Sequence, residues 1–267
     1  MLKDITLGQY FPGDTPVHRL DPRTKLILVI VYIITLFSAK WFVTYGLVLG
    51  ALIGIIALSQ IQIKTILKSY KPLLFIIILT GILNLFYTPG EVVVKFWIFT
   101  ITKEGIVTAV FMALRITMLI AGTFMLTYTT SPIALTDGLE RLLNPLKRIK
   151  VPVHELAMMM CIALRFIPTL IEETDKIMSA QKARGADFET GSLFSRAKAL
   201  IPILVPLFIG SFRRADELAM AMECRCYHGG DGRTRMKQLY YGRRDAIALA
   251  SGLILMTAVI ILGRMGL

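Results

Sequence analysis

Histidine and cysteine are nearly absent from this 267-residue chain, three of each, and acidic residues are outnumbered by basic ones, 18 to 30. So few soft ligands leave little room for a metal centre. Cys224 and Cys226 are one residue apart, whereas zinc motifs space ligands by about two to four residues and gather four of them. His228 is the only imidazole near that pair. Reduced thiols are therefore expected, with no metal. There is also no G-x-x-x-x-G-K-[ST] phosphate loop, so a nucleotide-driven process would need its hydrolysis on another protein. An intramembrane enzyme acting on lipid or prenyl substrates would need clustered acids or histidines, and Glu172-Glu173 and Asp216-Glu217 lack a third ligand. A self-sufficient solute carrier would place polar residues at the midplane in inverted repeats, whereas the spans offer little beyond Arg115 and Asn84.

What is abundant is apolar. Hydrophobic residues make up 55% of the chain and the mean hydropathy is +0.66, the composition of an integral membrane protein. Met1 to Thr24 carries Asp4, Asp14, His18, Arg19, Asp21 and Arg23 and no short apolar core ending in a small-residue cleavage site. It is not expected to be a cleaved signal peptide, and the first span would direct insertion. Hydropathy predicts five spans: Leu26 to Phe37 and Trp41 to Leu58 as a tight hairpin, Pro72 to Tyr87, Gly105 to about Thr129, and Ala246 to Leu262. The first is short, so it would need local bilayer thinning or snorkelling by Lys25 and Lys40. Ile61 to Tyr70 is amphipathic and suits the inner interface. Thr88 to Lys103, with a Pro-Gly turn and a β-prone run through Trp97, reads as an external excursion. Of the 30 Lys and Arg residues, 25 fall in segments that this topology places in the cytoplasm. The positive-inside rule then puts the N-terminus inside and the C-terminus outside.

Three parts follow: a membrane region of four spans at 1–130, a cytoplasmic module at 131–242, and a final span at 243–267. The module is too long for a loop and too apolar for disorder. It predicts three helices: Ser131-Pro132 to Asn144-Pro145, Pro152 to Arg184 with a kink at Pro168, and Leu193 to Cys226 interrupted by Pro202 and Pro206. The two long ones repeat. A shift of 41 residues aligns Asp175 with Asp216, Ile177 with Leu218, Ala180 with Ala221, Ala183 with Cys224 and Arg184 with Arg225. Each long helix thus stops at an arginine between small residues. One such arginine can simply serve its own helix's dipole and free carbonyls. Two matched ones suggest two equivalent docking tips.

Other residues carry two readings. Met158, Met159 and Met160, with Met112, Met118 and Met125, suit either ordinary packing or an adaptable interface. Arg115, deep in the fourth span, is a functional candidate by depth, and a structural hydrogen bond, with Asn84 as acceptor, is the preferred account. Asp21-Pro22 serves as N-cap and first helical residue of the first span.

The ordered set His18-Arg19-Leu20-Asp21-Pro22-Arg23-Thr24-Lys25, AQKARG at 180–185 and RADELAMAMECRCY at 214–227 resembles the transmembrane T component (EcfT family) of energy-coupling factor (ECF) vitamin transporters, over essentially the whole chain. The resemblance implies an all-α integral membrane protein in a bacterial cell membrane: about five transmembrane helices plus a cytoplasmic module of three helices, two of them long coupling helices. It implies a non-catalytic scaffold that works with two ABC-type ATPases and a substrate-binding S component among membrane lipids, without nucleic acid. ATP and Mg would sit on the partner subunits and no cofactor on this chain. Ala183, Arg184 and Gly185 match the family's Ala-Arg-Gly signature, and Cys224, Arg225 and Cys226 match it in altered form. These six residues would bind the ATPases, and Met158 to Met160 would face the S component. Cysteine in place of glycine at 226 disfavours positive φ, so the second tip is expected to extend towards Gly229.

Overall fold

The computed structural model describes residues 10–96, 99–186, 188, 192, 194, 198–230 and 238–265. They form two compact units, one built from Gly8–Gly138 with Leu239–Leu267, the other centred on Leu139–Gln238.

The first unit is a helical bundle. Helix α1 (Pro22–Ser38) starts at Asp21, whose carboxylate accepts from the Arg23 backbone N–H, with Pro22 at the first helical position, as expected from sequence. Its 17 residues cover about 25 Å, less than a hydrocarbon core of about 30 Å. A three-residue turn leads to α2 (Phe42–Ser59), so the long apolar stretch is indeed a hairpin. The turn is tied by Thr44, whose hydroxyl donates to the Trp41 carbonyl and accepts from its N–H.

Helix α3 (Ile63–Tyr70) is amphipathic, with Ile66 buried and Ile63 and Leu67 exposed, and α4 (Leu74–Tyr87) follows after a 61° bend. The excursion is a β-hairpin: β1 (Val92–Phe96) pairs antiparallel with β2 (Phe99–Thr102), Phe96 opposite Phe99, with an irregularity between Val92 and Val94. Trp97 lies outside the described residues. Helix α5 (Lys103–Thr129) is capped by Thr102, whose hydroxyl accepts from Gly105 N–H, and its 27 residues cover about 40 Å.

Helices α1, α2 and α5 and the C-terminal helix (Arg243–Met265) share one core: Leu36, Tyr45, Val48, Leu52, Met118, Ala121 and Val259. A smaller cluster of Ile66, Met125 and Tyr128 seats α3 on α5, where Tyr70 also donates to the Thr117 carbonyl. A small residue makes room for a large one: the Tyr32 ring of α1 rests on α5 at Gly122, where a Cβ would stand 2.3 Å from it. Outward faces carry large exposed apolar side chains such as Ile53, Phe75, Ile78, Ile254 and Ile261. In water that would be an aggregating surface, and in lipid it is the required one.

The second unit contains the end of α6 (Pro132–Leu143), a 3-10 turn (Asn144–Ile149), α7 (Val153–Ala183) and α8 (Ile201–Cys224). The C-terminal helix named above is α9. Two sequence expectations fail here. Pro202 does not interrupt α8 but lies in its first turn, where a missing N–H costs nothing. Nor does Pro206, which lies inside α8 with the helix continuous through it; Pro168 lies inside α7, as expected.

Among the described residues, α2, α5, α7 and α9 are long and apolar enough to cross a membrane, and the bent α3–α4 pair makes a fifth. This set differs from the one read from hydropathy. Helix α7, expected in the cytoplasmic module, qualifies through its apolar first half, while α1 is one residue short of the 18 that the others reach.

Candidate partner-docking tips and the helix pair that carries them

The second unit can be built upward from one ion pair. Glu173 of α7 meets Arg214 of α8, both about three-quarters buried, and Gly210 leaves room beside them, since a Cβ there would approach Glu173 Oε1 to 3.2 Å. Nearer the start of α7, His154 Nδ1 donates to Glu140 Oε1 at 3.0 Å, and Nε2 accepts from the Tyr227 hydroxyl at 3.3 Å. Positions that rise along α7 pair with positions that fall along α8, so the helices are antiparallel.

The same 41-residue shift that aligns the two arginines carries Glu173 onto Arg214. The ion pair therefore joins two equivalent positions of a repeat. Arg184 lies eleven residues beyond it on one helix and Arg225 eleven beyond it on the other. At 1.5 Å per residue each tip stands about 16 Å from the ion pair, in opposite directions, so the tips are separated by about 30 Å.

Both helix ends have the same backbone geometry. At the first, Gly185 N–H donates to Lys182 O at 3.0 Å and Ala186 N–H to Gln181 O at 3.0 Å. At the second, Cys226 N–H donates to Glu223 O at 2.8 Å and Tyr227 N–H to Met222 O at 3.1 Å. These are two Schellman motifs, again 41 residues apart. The motif needs positive φ just after the cap, and both residues have it, Gly185 at +88° and Cys226 at +53°. The expectation that Cys226 would avoid this region and prolong the helix towards Gly229 is thus wrong. Helix α8 ends at Cys224, because the two backbone hydrogen bonds gained offset the αL strain of about 1–2 kcal/mol.

This geometry bears on what the arginines do. Carbonyls that an arginine cap would satisfy are already occupied by backbone N–H groups. Arg184 and Arg225 are exposed, as are Ala183, Gly185, Cys224 and Cys226, and neither guanidinium hydrogen-bonds to a described residue. Cys224 and Cys226 are free thiols. Met158, Met159 and Met160 lie near the start of α7, Met159 exposed and its neighbours half-buried.

The remaining candidates are in the first unit. Arg115 does not pair with Asn84. Its Nε donates to the Tyr45 hydroxyl at 2.8 Å and Nη2 to the Ala39 carbonyl at 3.2 Å, while Asn84 Nδ2 donates to Thr80 O within α4. Arg115 thereby locks the α1–α2 turn to α5.

Sequence reasoning missed a latch around the His18–Lys25 motif. Asp21 N–H donates to Asp245 Oδ1 at 2.8 Å, and Asp245 Oδ2 accepts from Gly242 N–H at 2.9 Å. Arg23 binds Asp21 through two nitrogens and stacks over the Tyr241 ring at 4.0 Å. Lys25 does not snorkel. It is buried and donates to Thr129 O, Thr130 Oγ1 and His18 O. Upstream, Arg19 grips Asp14 and holds its carboxyl below the ordinary value, while burial lowers the His18 imidazole.

Comparison with known proteins gives a consistent result. The family model described as cobalt transport protein, CbiQ, matches residues 13–236. The energy-coupling factor transporter transmembrane protein EcfT of Acidaminococcus fermentans is 53% identical over 262 residues, 98% of this chain and 97% of its own. This chain belongs to that family. The EcfT proteins of Clostridium kluyveri (56% identical over 96% of this chain and 95% of its own) and Bacillus subtilis (46% over 96% and 97%) are similar along almost their full lengths. Family membership with four to five apolar helices makes this a multi-pass membrane protein.

Proposed function

We propose that this chain is the transmembrane scaffold of an energy-coupling factor transporter and passes the motion of two partner ATPases to a substrate-binding S component. Residues 131–242 form the cytoplasmic coupling module, with the N-terminus inside and the C-terminus outside. The observation that carries the reading is the pair of matched Schellman tips, about 30 Å apart, each presenting an exposed arginine that hydrogen-bonds to no described residue. A guanidinium fork suits bidentate pairing with carboxylates in a groove of each ATPase. Ala183 and Gly185, like Cys224 and Cys226, are small enough to let the helix end enter such a groove.

ATP and Mg are held by the ATPases, and this chain binds no cofactor. An antiparallel pair pinned at its centre converts closure of two bound subunits into a change of crossing angle, which shifts the S component. Met158 to Met160 supply an adaptable contact for that component.

Co-purification with the candidate ATPase pair tests the reading. Wild type is expected to hold both ATPases, Arg184→Glu and Arg225→Glu to weaken retention, and the double variant to insert normally yet lose both. Equal retention by all four proteins would leave the arginines without a role in docking.

A further inference from the structure

The first unit holds an apolar cleft of about 600 Å³, within the range of small-ligand sites. It lies between α1, α2, α5 and α9. Its floor runs from Lys25 to Thr35 on α1 and from Arg244 to Leu255 on α9, about 15 Å along the helices. That is half of a hydrocarbon core of about 30 Å, the depth of one leaflet. Leu28, Leu58 and Leu255 line it, and Gly54 leaves it wide, since a Cβ there would meet no atom within 4 Å.

Charge lies at one end only, where α1 and α9 begin. The acids there are already engaged: Asp14 by Arg19, Asp21 by Arg23, and Asp245 by the backbone N–H groups of Asp21 and Gly242. Lys25 spends its donors on Thr129, Thr130 and His18. Arg244 is different. It lines the cleft mouth, is exposed, and hydrogen-bonds to no described residue.

An apolar slot one leaflet deep, with an exposed guanidinium at its mouth that hydrogen-bonds to no described residue and whose acidic neighbour Asp14 is already gripped by Arg19, fits an amphiphile with an anionic head. We propose that this cleft is a binding site for one anionic phospholipid, its acyl chain between α1 and α9 and its phosphate held by Arg244. Arginine can grip two phosphate oxygens at once, and at the membrane surface it replaces a hydrated contact by a charge-assisted pair. The lipid would lie along the seam between the first and last helices of the unit, which also meet through the Asp21–Asp245 hydrogen bond, the close approach of Gly252 to Leu28 and the core contact of Leu36 and Val259.

Native mass spectrometry of the full chain in detergent tests this, with phosphatidylglycerol and phosphatidylcholine of identical chains as probes. Wild type is expected to retain one phosphatidylglycerol with about tenfold preference over phosphatidylcholine. Arg244→Glu is expected to keep a lipid but lose the preference. Gly54→Leu, which fills the slot, is expected to lose both lipids, and Arg264→Glu, at the far end of α9, to behave as wild type. Preference unchanged in Arg244→Glu, or lost equally in Arg264→Glu, would reduce the binding to a diffuse charge effect and overturn the proposal. So would undiminished retention by Gly54→Leu, and so would Leu255→Cys crosslinking to a partner subunit in the assembled transporter, which would give the cleft to a protein helix.

Discussion

Cys226 sits in the left-handed region that its neighbouring motif demands and its side chain resists. Replacing it with glycine is expected to stabilise the α8 end by about 1 kcal/mol, seen as slower amide exchange at Cys226 and Tyr227, whose N–H groups close the motif. Gly185→Ala should do the opposite by a similar amount at the α7 end, even though its Cβ would meet open space. Arg115→Met should lower thermal stability in detergent by about 1–3 kcal/mol, because the Ala39 carbonyl and the Tyr45 hydroxyl lose their donor. His18 supplies a pH test. In the folded chain its Nε2 donates to Phe11 O and its Nδ1 accepts from Thr15, and burial holds its pKa below the ordinary 6.5. The unfolded chain therefore takes up the proton first as pH falls, and stability is lost through and below about 6.5. A melting series from pH 7.5 to 5.5 should show this loss in wild type and a smaller one in His18→Gln. At this scale the sequence announced the outliers but not their partners: Arg115 was legible as an ion at depth, whereas Tyr45 and Ala39 are neighbours only after folding.

Among elements, the α7–α8 pair is the one whose interaction can be measured directly. A double-mutant cycle on Glu173→Ala and Arg214→Ala should return a coupling of about 1 kcal/mol, since both groups are partly solvated, and the swap of the two charges should restore most of the loss. Independent effects would separate the helices energetically. Helix boundaries were readable where local chemistry sets them, as at Asp21-Pro22 and Thr129. They were misjudged where a local rule has two outcomes: Pro202 breaks a helix in its middle and opens one at its start, and sequence does not say which position it takes. Of the β-hairpin at 92–102 only a β-prone run was legible: the turn read in the sequence, Pro89-Gly90, precedes the first strand, and the register depends on a backbone irregularity that no residue type marks.

For the whole molecule, the hydrogen bond that spans most sequence among the described residues is the most informative. Asp21 and Asp245 are 224 residues apart, and each was locally unremarkable, a cap and a first-turn acid. Asp245→Ala should strand two backbone N–H groups, cost about 1–3 kcal/mol, and open the start of α9 to limited proteolysis near Gly242. The equal eleven-residue distances from the Glu173–Arg214 pair to the two tips have a rotational consequence as well. A helix turns about 100° per residue, so inserting one alanine between Glu173 and Arg184 would swing that arginine to another side of its axis. Seven alanines would return it to nearly the original bearing, about 10 Å farther out. If docking reads direction, the seven-residue insertion should outperform the single one. Helices α7 and α8 would then behave as a matched pair of keys, cut to angle as well as to length.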